Sequence, residues 1–146
     1  MAAATIDDIK ALTLGYLTGN DLLRYCPFQV LQKQLSVDDT SLQIGCDIAY
    51  SEVRSALSQR YNIDVELAKT TDRFPLLVKI TSILAIKNIT GNQAAMPEQM
   101  TENNKWVDDI LLAIRNGQQS LIGMEIAATA KISNSSLIRS SFATIG

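Results

Sequence analysis

Acidic pairs stand at two places in the chain, Asp38-Asp39 and Asp108-Asp109. Adjacent carboxylates could divide acid and base work or hold a divalent ion. Their surroundings argue for a plainer role. Asp38-Asp39 opens a helical pattern, where the helix dipole favours acids, and Asp108-Asp109 falls on the polar side of the apolar stripe from Trp106 to Ile114. The chain contains no histidine, so Ser-His-Asp, Cys-His and HExxH chemistries are excluded. Two cysteines, Cys26 and Cys46, are too few for the usual four-ligand zinc site and read as small buried hydrophobes in a reducing cytosol. Gly15, Gly19, Gly45, Gly91, Gly117 and Gly123 never gather into a phosphate-cradling loop. Gly45 sits inside a helical pattern at a cost of about 1 kcal/mol relative to alanine, which marks a close approach between helices. No catalytic residue, metal ligand or cofactor is expected.

Basic residues carry little more. Lys69, Arg73, Lys79 and Lys87 bias the middle of the chain positively. Lys79 and Lys87 lie two turns apart along one side of a helix. They either face a phosphate-lined channel or run their stems along that helix's wet edge, and the second is the commoner arrangement. Arg24, Arg54, Arg60, Arg115 and Arg139 are candidates to pair with acids on an adjacent copy.

The elements that position these groups are helices. Thr5 caps a first helix with Asp7 and Asp8 in its opening turn, and Gly15 is expected to end it. Thr18-Gly19-Asn20-Asp21 forms a turn and cap before Leu22-Leu23-Arg24-Tyr25, and Pro27 breaks the chain. Phe28, Leu31 and Leu35 mark a second short helix. Asp38 or Asp39 then caps the longest periodic stretch, up to Tyr61, whose stripe is Leu42, Cys46, Ala49, Val53, Ala56 and Leu57. Residues 62–72 read as a polar connection with an extended piece at Ile63-Asp64-Val65. Asp72 is expected to cap a helix over 73–90, with Pro75 in its first turn. That helix is apolar all round, so it is the central one. Gly91 ends it. A last helix starts at Thr101, buries Trp106, Val107, Ile110, Leu111 and Ile114, and closes at Asn116-Gly117.

The expected fold is therefore mainly α: a small bundle of three long helices plus short N-terminal helices over residues 1–117, followed by an extended, β-type arm over 118–146. The arm is rich in serine and loses the helical period, with alternating stretches at Leu121–Ile126, Ala130–Ser133 and Ser136–Phe142. Its apolar residues Leu121, Ile122, Ile126, Ile132, Leu137, Ile138 and Phe142 have no core left to join. They are expected to grip a partner chain, which would supply the missing backbone hydrogen bonds.

Length and composition set the outer bounds. At 146 residues, 47% hydrophobic and 19% charged, the chain is a single globular domain that needs no metal or disulfide staple. A net charge of −2 provides no overall basic surface to gather nucleic acid. The longest apolar run, Phe74 to Ile89, is interrupted by two lysines and is too short to span a bilayer. The start, Met1 to Asp8, lacks the basic and apolar regions of a signal peptide.

The order of the segments resembles the phage head-completion or head–tail connector (adaptor) proteins. Thr18-Gly19-Asn20-Asp21-Leu22-Leu23-Arg24-Tyr25 is like that family's opening, a threonine followed by aspartate-leucine and arginine. The helix through Ile48-Ala49-Tyr50-Ser51-Glu52-Val53-Arg54-Ser55-Ala56-Leu57-Ser58-Gln59-Arg60-Tyr61 is like its alanine-rich helix ending in arginine-tyrosine. Phe74-Pro75-Leu76-Leu77 resembles the proline, leucine-leucine restart, and the amphipathic helix Trp106–Ile114 completes the order. The resemblance covers about residues 5–117. The loop Gly91–Met100 aligns poorly, and 118–146 extends past the point where family members often end.

The resemblance implies a structural virion protein without enzymatic activity. It implies a homo-oligomeric ring, commonly of twelve copies, docked on the portal protein at the neck of the virion and assembled in the host bacterial cytoplasm. Tail or other connector proteins attach below, and DNA passes through the channel without specific binding. Mild acidity suits that channel, because a strongly basic lining would hold DNA. Two rivals are a cytosolic, non-viral helical protein-binding module using the Leu42–Tyr61 face or the arm, and a small carboxylate-dependent enzyme built on one of the acidic pairs.

Overall fold

The computed structural model describes residues 4–91 and 98–117. Among them are seven helices and one isolated antiparallel bridge, between Thr13 and Thr18. The helices are α1 (Ile6–Lys10), α2 (Gly19–Leu23), α3 (Phe28–Val37), α4 (Ser41–Leu57), α5 (Ile63–Leu67), α6 (Pro75–Thr90) and α7 (Glu98–Arg115). The mainly helical bundle that the periodicity predicts is observed, with α4, α6 and α7 as its long members. Residues 118–146, with Leu121, Ile122, Ile126, Ile132, Leu137, Ile138 and Phe142, lie outside the described residues. No helix among the described residues is long and apolar enough to cross a membrane.

Helix α6 is the axis of the bundle. Eleven of its sixteen residues are buried, from Leu77 to Thr90, so neighbours surround it on nearly every side. Helices α2, α3, α4 and α7 all pack on it. Two of its three buried hydroxyls bond back along the helix, Thr81 Oγ1 donating to Leu77 O (2.6 Å) and Thr90 Oγ1 to Ile86 O (2.8 Å), while the third, Ser82 Oγ, has no hydrogen-bond partner among the described residues. Such back-bonding lets a polar side chain sit in a core without an unmet hydrogen bond.

The broadest contact in the bundle is between α4 and α6, and Gly45 explains it. A Cβ at Gly45 would run into Ile89 Cγ1 and the Ala85 carbonyl of α6. The two backbones approach because nothing stands between them, which is the close packing expected at this residue. Leu42, Cys46, Ala49, Val53 and Leu57 complete the buried face of α4. Asn88 of α6 fastens the pair from the side, donating to Glu52 Oε1 at 2.6 Å.

Several helix boundaries differ from expectation. Helix α1 stops at Lys10, well before Gly15, because Leu12 to Leu17 fold into a reverse turn in which Leu14 N donates to Leu17 O at 2.9 Å. Gly15 takes φ +95° in that turn, a left-handed conformation natural to glycine. Thr40, not Asp38 or Asp39, stands at the start of α4. Asp38 accepts instead from the Thr40 N–H (2.9 Å) and hydroxyl (2.7 Å), closing an Asx-type turn.

Residues 63–67 form α5 where an extended piece was expected. Ile63, Glu66 and Leu67 fall at helical spacing and all three are buried, so tertiary packing selects the turn over the strand. Asp72 does not cap α6. It sits at φ +53°, Phe74 occupies the cap position, and Pro75 opens the helix. Helix α7 begins at Glu98, three residues before Thr101. Gly91 does end α6, at φ +65°, as expected.

Candidate functional site

A buried polar cluster joins the N-terminal turn to the start of α6. Asp21 lies in the capping box of α2, where its Oδ2 accepts from the Thr18 N–H at 2.9 Å and its own N–H donates to Thr18 Oγ1. The carboxylate is 2% exposed and is held by Arg73, whose Nη1 reaches Oδ2 and whose Nη2 reaches Oδ1 at 3.2 Å. Arg73 Nη1 also donates to Tyr16 O (2.9 Å), and the guanidinium lies 5.7 Å from the Tyr16 ring centroid. Tyr16 Oη donates to Glu66 Oε2 at 2.6 Å. The same Glu66 oxygen accepts the Phe74 N–H (2.8 Å), and Oε1 meets Lys69 Nζ at 3.1 Å. Three separate stretches of chain, 16–21, 66–69 and 73–74, are thus tied by charge-assisted hydrogen bonds.

The electrostatics of this cluster are those of a clamp. Burial disfavours the charge on Asp21, but the Arg73 and Thr18 hydrogen bonds outweigh it and hold the carboxyl below its usual range. Glu66 behaves alike: burial opposes ionisation, while Tyr16, the Phe74 N–H and Lys69 overcome it. Burial, then the bond to Glu66, pushes the Tyr16 phenol far up, so it stays protonated. The shifts of Asp21, Glu66 and Tyr16 all run away from neutral pH, opposite to the tuning a general acid or base needs. The cluster therefore fixes geometry.

Tyr50 plays the same part for the preceding turn. Its Oη donates to Leu14 O (2.5 Å) and accepts the Leu17 N–H (3.0 Å), so a side chain of α4 satisfies the backbone of the reverse turn.

The residues singled out in the sequence are scattered. Asp38 and Asp39 are exposed before α4; Asp108 and Asp109 are exposed on α7, with Asp108 Oδ1 3.7 Å from Lys87 Nζ. Lys79 lies over the Trp106 ring, 4.3 Å from its centroid. Both lysines are half-buried along α6, the wet-edge arrangement. Arg54 pairs within the chain with Asp64 (2.7 Å), and Arg60 Nη1 donates to Ile114 O (3.3 Å). Arg139 lies outside the described residues. Cys26 and Cys46 are free and buried, and burial pushes both thiols up to about 12.

Two surface features remain. The first is a ridge on α4. Ile44 is 50% exposed and Ile48 42%, one turn apart, and exposed Ser51 and Ser55 continue the same line. The second is a pair of clefts that share Arg24. One, of about 650 Å³, lies between Arg24, Tyr25, Thr70, Thr71, Leu76 and Lys79. The other, of about 320 Å³, has Ile6, Leu23, Pro27 and Phe28 in its walls, with Lys10 at its edge.

Sequence reasoning missed the Asp21–Arg73 and Tyr16–Glu66 ties. The available signal was Thr18-x-x-Asp21, which marks a helix start and says nothing about a distant arginine. Ile44 and Ile48 were legible as apolar residues off the stripe of α4. No protein-family model matches this chain, and no curated protein or solved structure is significantly similar to it.

Proposed function

We propose that this chain is a structural virion subunit, a head–tail connector that assembles as a ring below the portal, links capsid to tail and borders the DNA channel. The observation that carries the reading is the two-sided character of α4. Its inner face is core against α6, while its outer face presents Ile44 and Ile48 with a smooth line of serines beyond. An apolar ridge on a long helix, rimmed by polar residues, suits side-by-side packing with a neighbour. The segments that resemble the adaptor family fall on α2, the distal half of α4, the start of α6 and α7, which supports the same reading. The residues of 118–146 add a second grip in this proposal, by crossing to the portal or to an adjacent copy and raising avidity.

Mass measurement on the purified full chain tests it. Rings, or assembly on addition of a portal, support the connector; a monomer indifferent to any portal favours the helical binding module. Deleting residues 118–146 is expected to leave a folded bundle that no longer joins virions. A truncated chain that fails to fold would place that segment in the core instead.

A further inference from the structure

The two surface features complement each other in charge as well as in shape. The stretch from Gln34 to Val53 contains Asp38, Asp39, Asp47 and Glu52 and not one lysine or arginine. Exposed Asp47 lies beside the Ile44–Ile48 ridge, held only by Gln43 Nε2 at 2.9 Å. The two clefts that meet at Arg24 have the opposite sign. Arg24 lines both, Lys79 the larger and Lys10 the smaller, none of them with an ion pair among the described residues, against a single lining acid, Asp72; the fourth cation, Arg73, is already answered by Asp21. Leu76 gives the larger cleft an apolar wall, and Ile6, Leu23 and Phe28 do so for the smaller.

We propose that the cationic surface where the two clefts meet at Arg24 receives the acidic, isoleucine-bearing ridge of α4 from a second copy of this chain. This rests on the connector reading and names the surfaces by which its copies would meet. The two surfaces share no residue, so the contact is head-to-tail: each copy offers its ridge to one neighbour and its cleft to the other. Such a contact propagates, closing into a ring when the rotation per copy allows. Ile44 and Ile48 meet the apolar walls on either side of Arg24, while Asp47 meets Arg24 itself. The charges orient and steer the approach, and the apolar contact holds it.

Complementary single-site reversals test this. Arg24→Glu disables the cleft and leaves the ridge; Asp47→Lys does the reverse. Both side chains are exposed, and circular dichroism melts of the two variants check that each still folds. Sedimentation velocity and native mass spectrometry at low salt are expected to show wild-type particles larger than a dimer. Each variant alone is expected to associate about tenfold or more weakly.

Mixed in equal amounts, the variants are expected to regain assembly beyond a pair of 16.0 kDa chains, because every contact between unlike copies is again oppositely charged: native ridge on native cleft in one direction, reversed ridge on reversed cleft in the other. Assembly indifferent to both substitutions overturns this inference and leaves the ring intact. A wild type that stays monomeric overturns both. An effect of Arg24→Glu without one of Asp47→Lys assigns the cleft to another acidic partner and also overturns it, as does a mixture that fails to regain assembly.

Discussion

Replacing Arg73 by methionine removes the cation from the clamp while keeping a stem of similar reach. Asp21 would then be a carboxylate 2% exposed to water with its main counter-charge gone, and Tyr16 O would lose its Nη1 donor. Breaking a buried ion pair from one side costs about 3–5 kcal/mol. The low end applies here, about 3 kcal/mol, because Thr18 still donates to Asp21 and the guanidinium it loses was 22% exposed. That is a large part of a typical total of about 5–15 kcal/mol. It corresponds to a fall in melting temperature of roughly 10 °C for a chain of this size.

The loss must depend on pH, and the sign follows from the direction of the shift. Asp21 is held below its ordinary 3.8 in the native state, so its contribution is complete above that value and fades as pH falls through the native one. Without Arg73 the native carboxyl titrates higher, and a neutral Asp21 carries no uncompensated charge. The cost of Arg73→Met is therefore expected to be largest near pH 7 and much smaller around pH 3. Urea unfolding followed by far-UV circular dichroism at both pH values measures it, with Asp21→Asn and the double variant completing a cycle. A loss under about 1 kcal/mol, equal losses at the two pH values, or simple additivity with Asp21→Asn would refute the clamp.

Three further outcomes follow from the packing. Gly45→Ala is expected to destabilise by about 1–3 kcal/mol despite alanine's better helix propensity, since the new methyl has Ile89 and Ala85 in its way; a thermal melt at or above that of the parent would contradict the close approach. Cys26 and Cys46, their thiols pushed up to about 12 by burial, should resist a thiol-disulfide reagent in the native protein and react together once it is unfolded. Lys79→Met removes a cation from the only tryptophan, so it should change Trp106 emission and cost about 0.5–1 kcal/mol; unchanged fluorescence would mean that the ring contact does not persist.

The local signals served where the physics is local. Thr5 and Thr18 cap helices, Gly91 ends one at positive φ, and Pro75 opens one, because each of these depends on a few neighbouring residues. The all-round apolarity of residues 76–89 marks the central helix, because a helix with no polar side must be surrounded by others. Where boundaries moved, distant packing had overruled local preference. Ile63-Asp64-Val65 is β-branched at two of three positions, yet Ile63, Glu66 and Leu67 meet the core only if the segment turns as a helix. Asp38 looked like a cap and instead closes the turn ahead of Thr40.

By itself, then, the sequence determined the number and centre of the long helices, the burial of both cysteines and the tight seam at Gly45. These follow from hydrophobic period and residue size, which a chain displays along its length. Tertiary structure alone decided that Asp21 meets Arg73 fifty-two residues away and that Tyr16 meets Glu66 across fifty. It also decided that Arg24 bridges two clefts. A charged residue has the same one-letter appearance whether solvated or clamped; only the folded backbone, by excluding water and bringing its partner near, determines which.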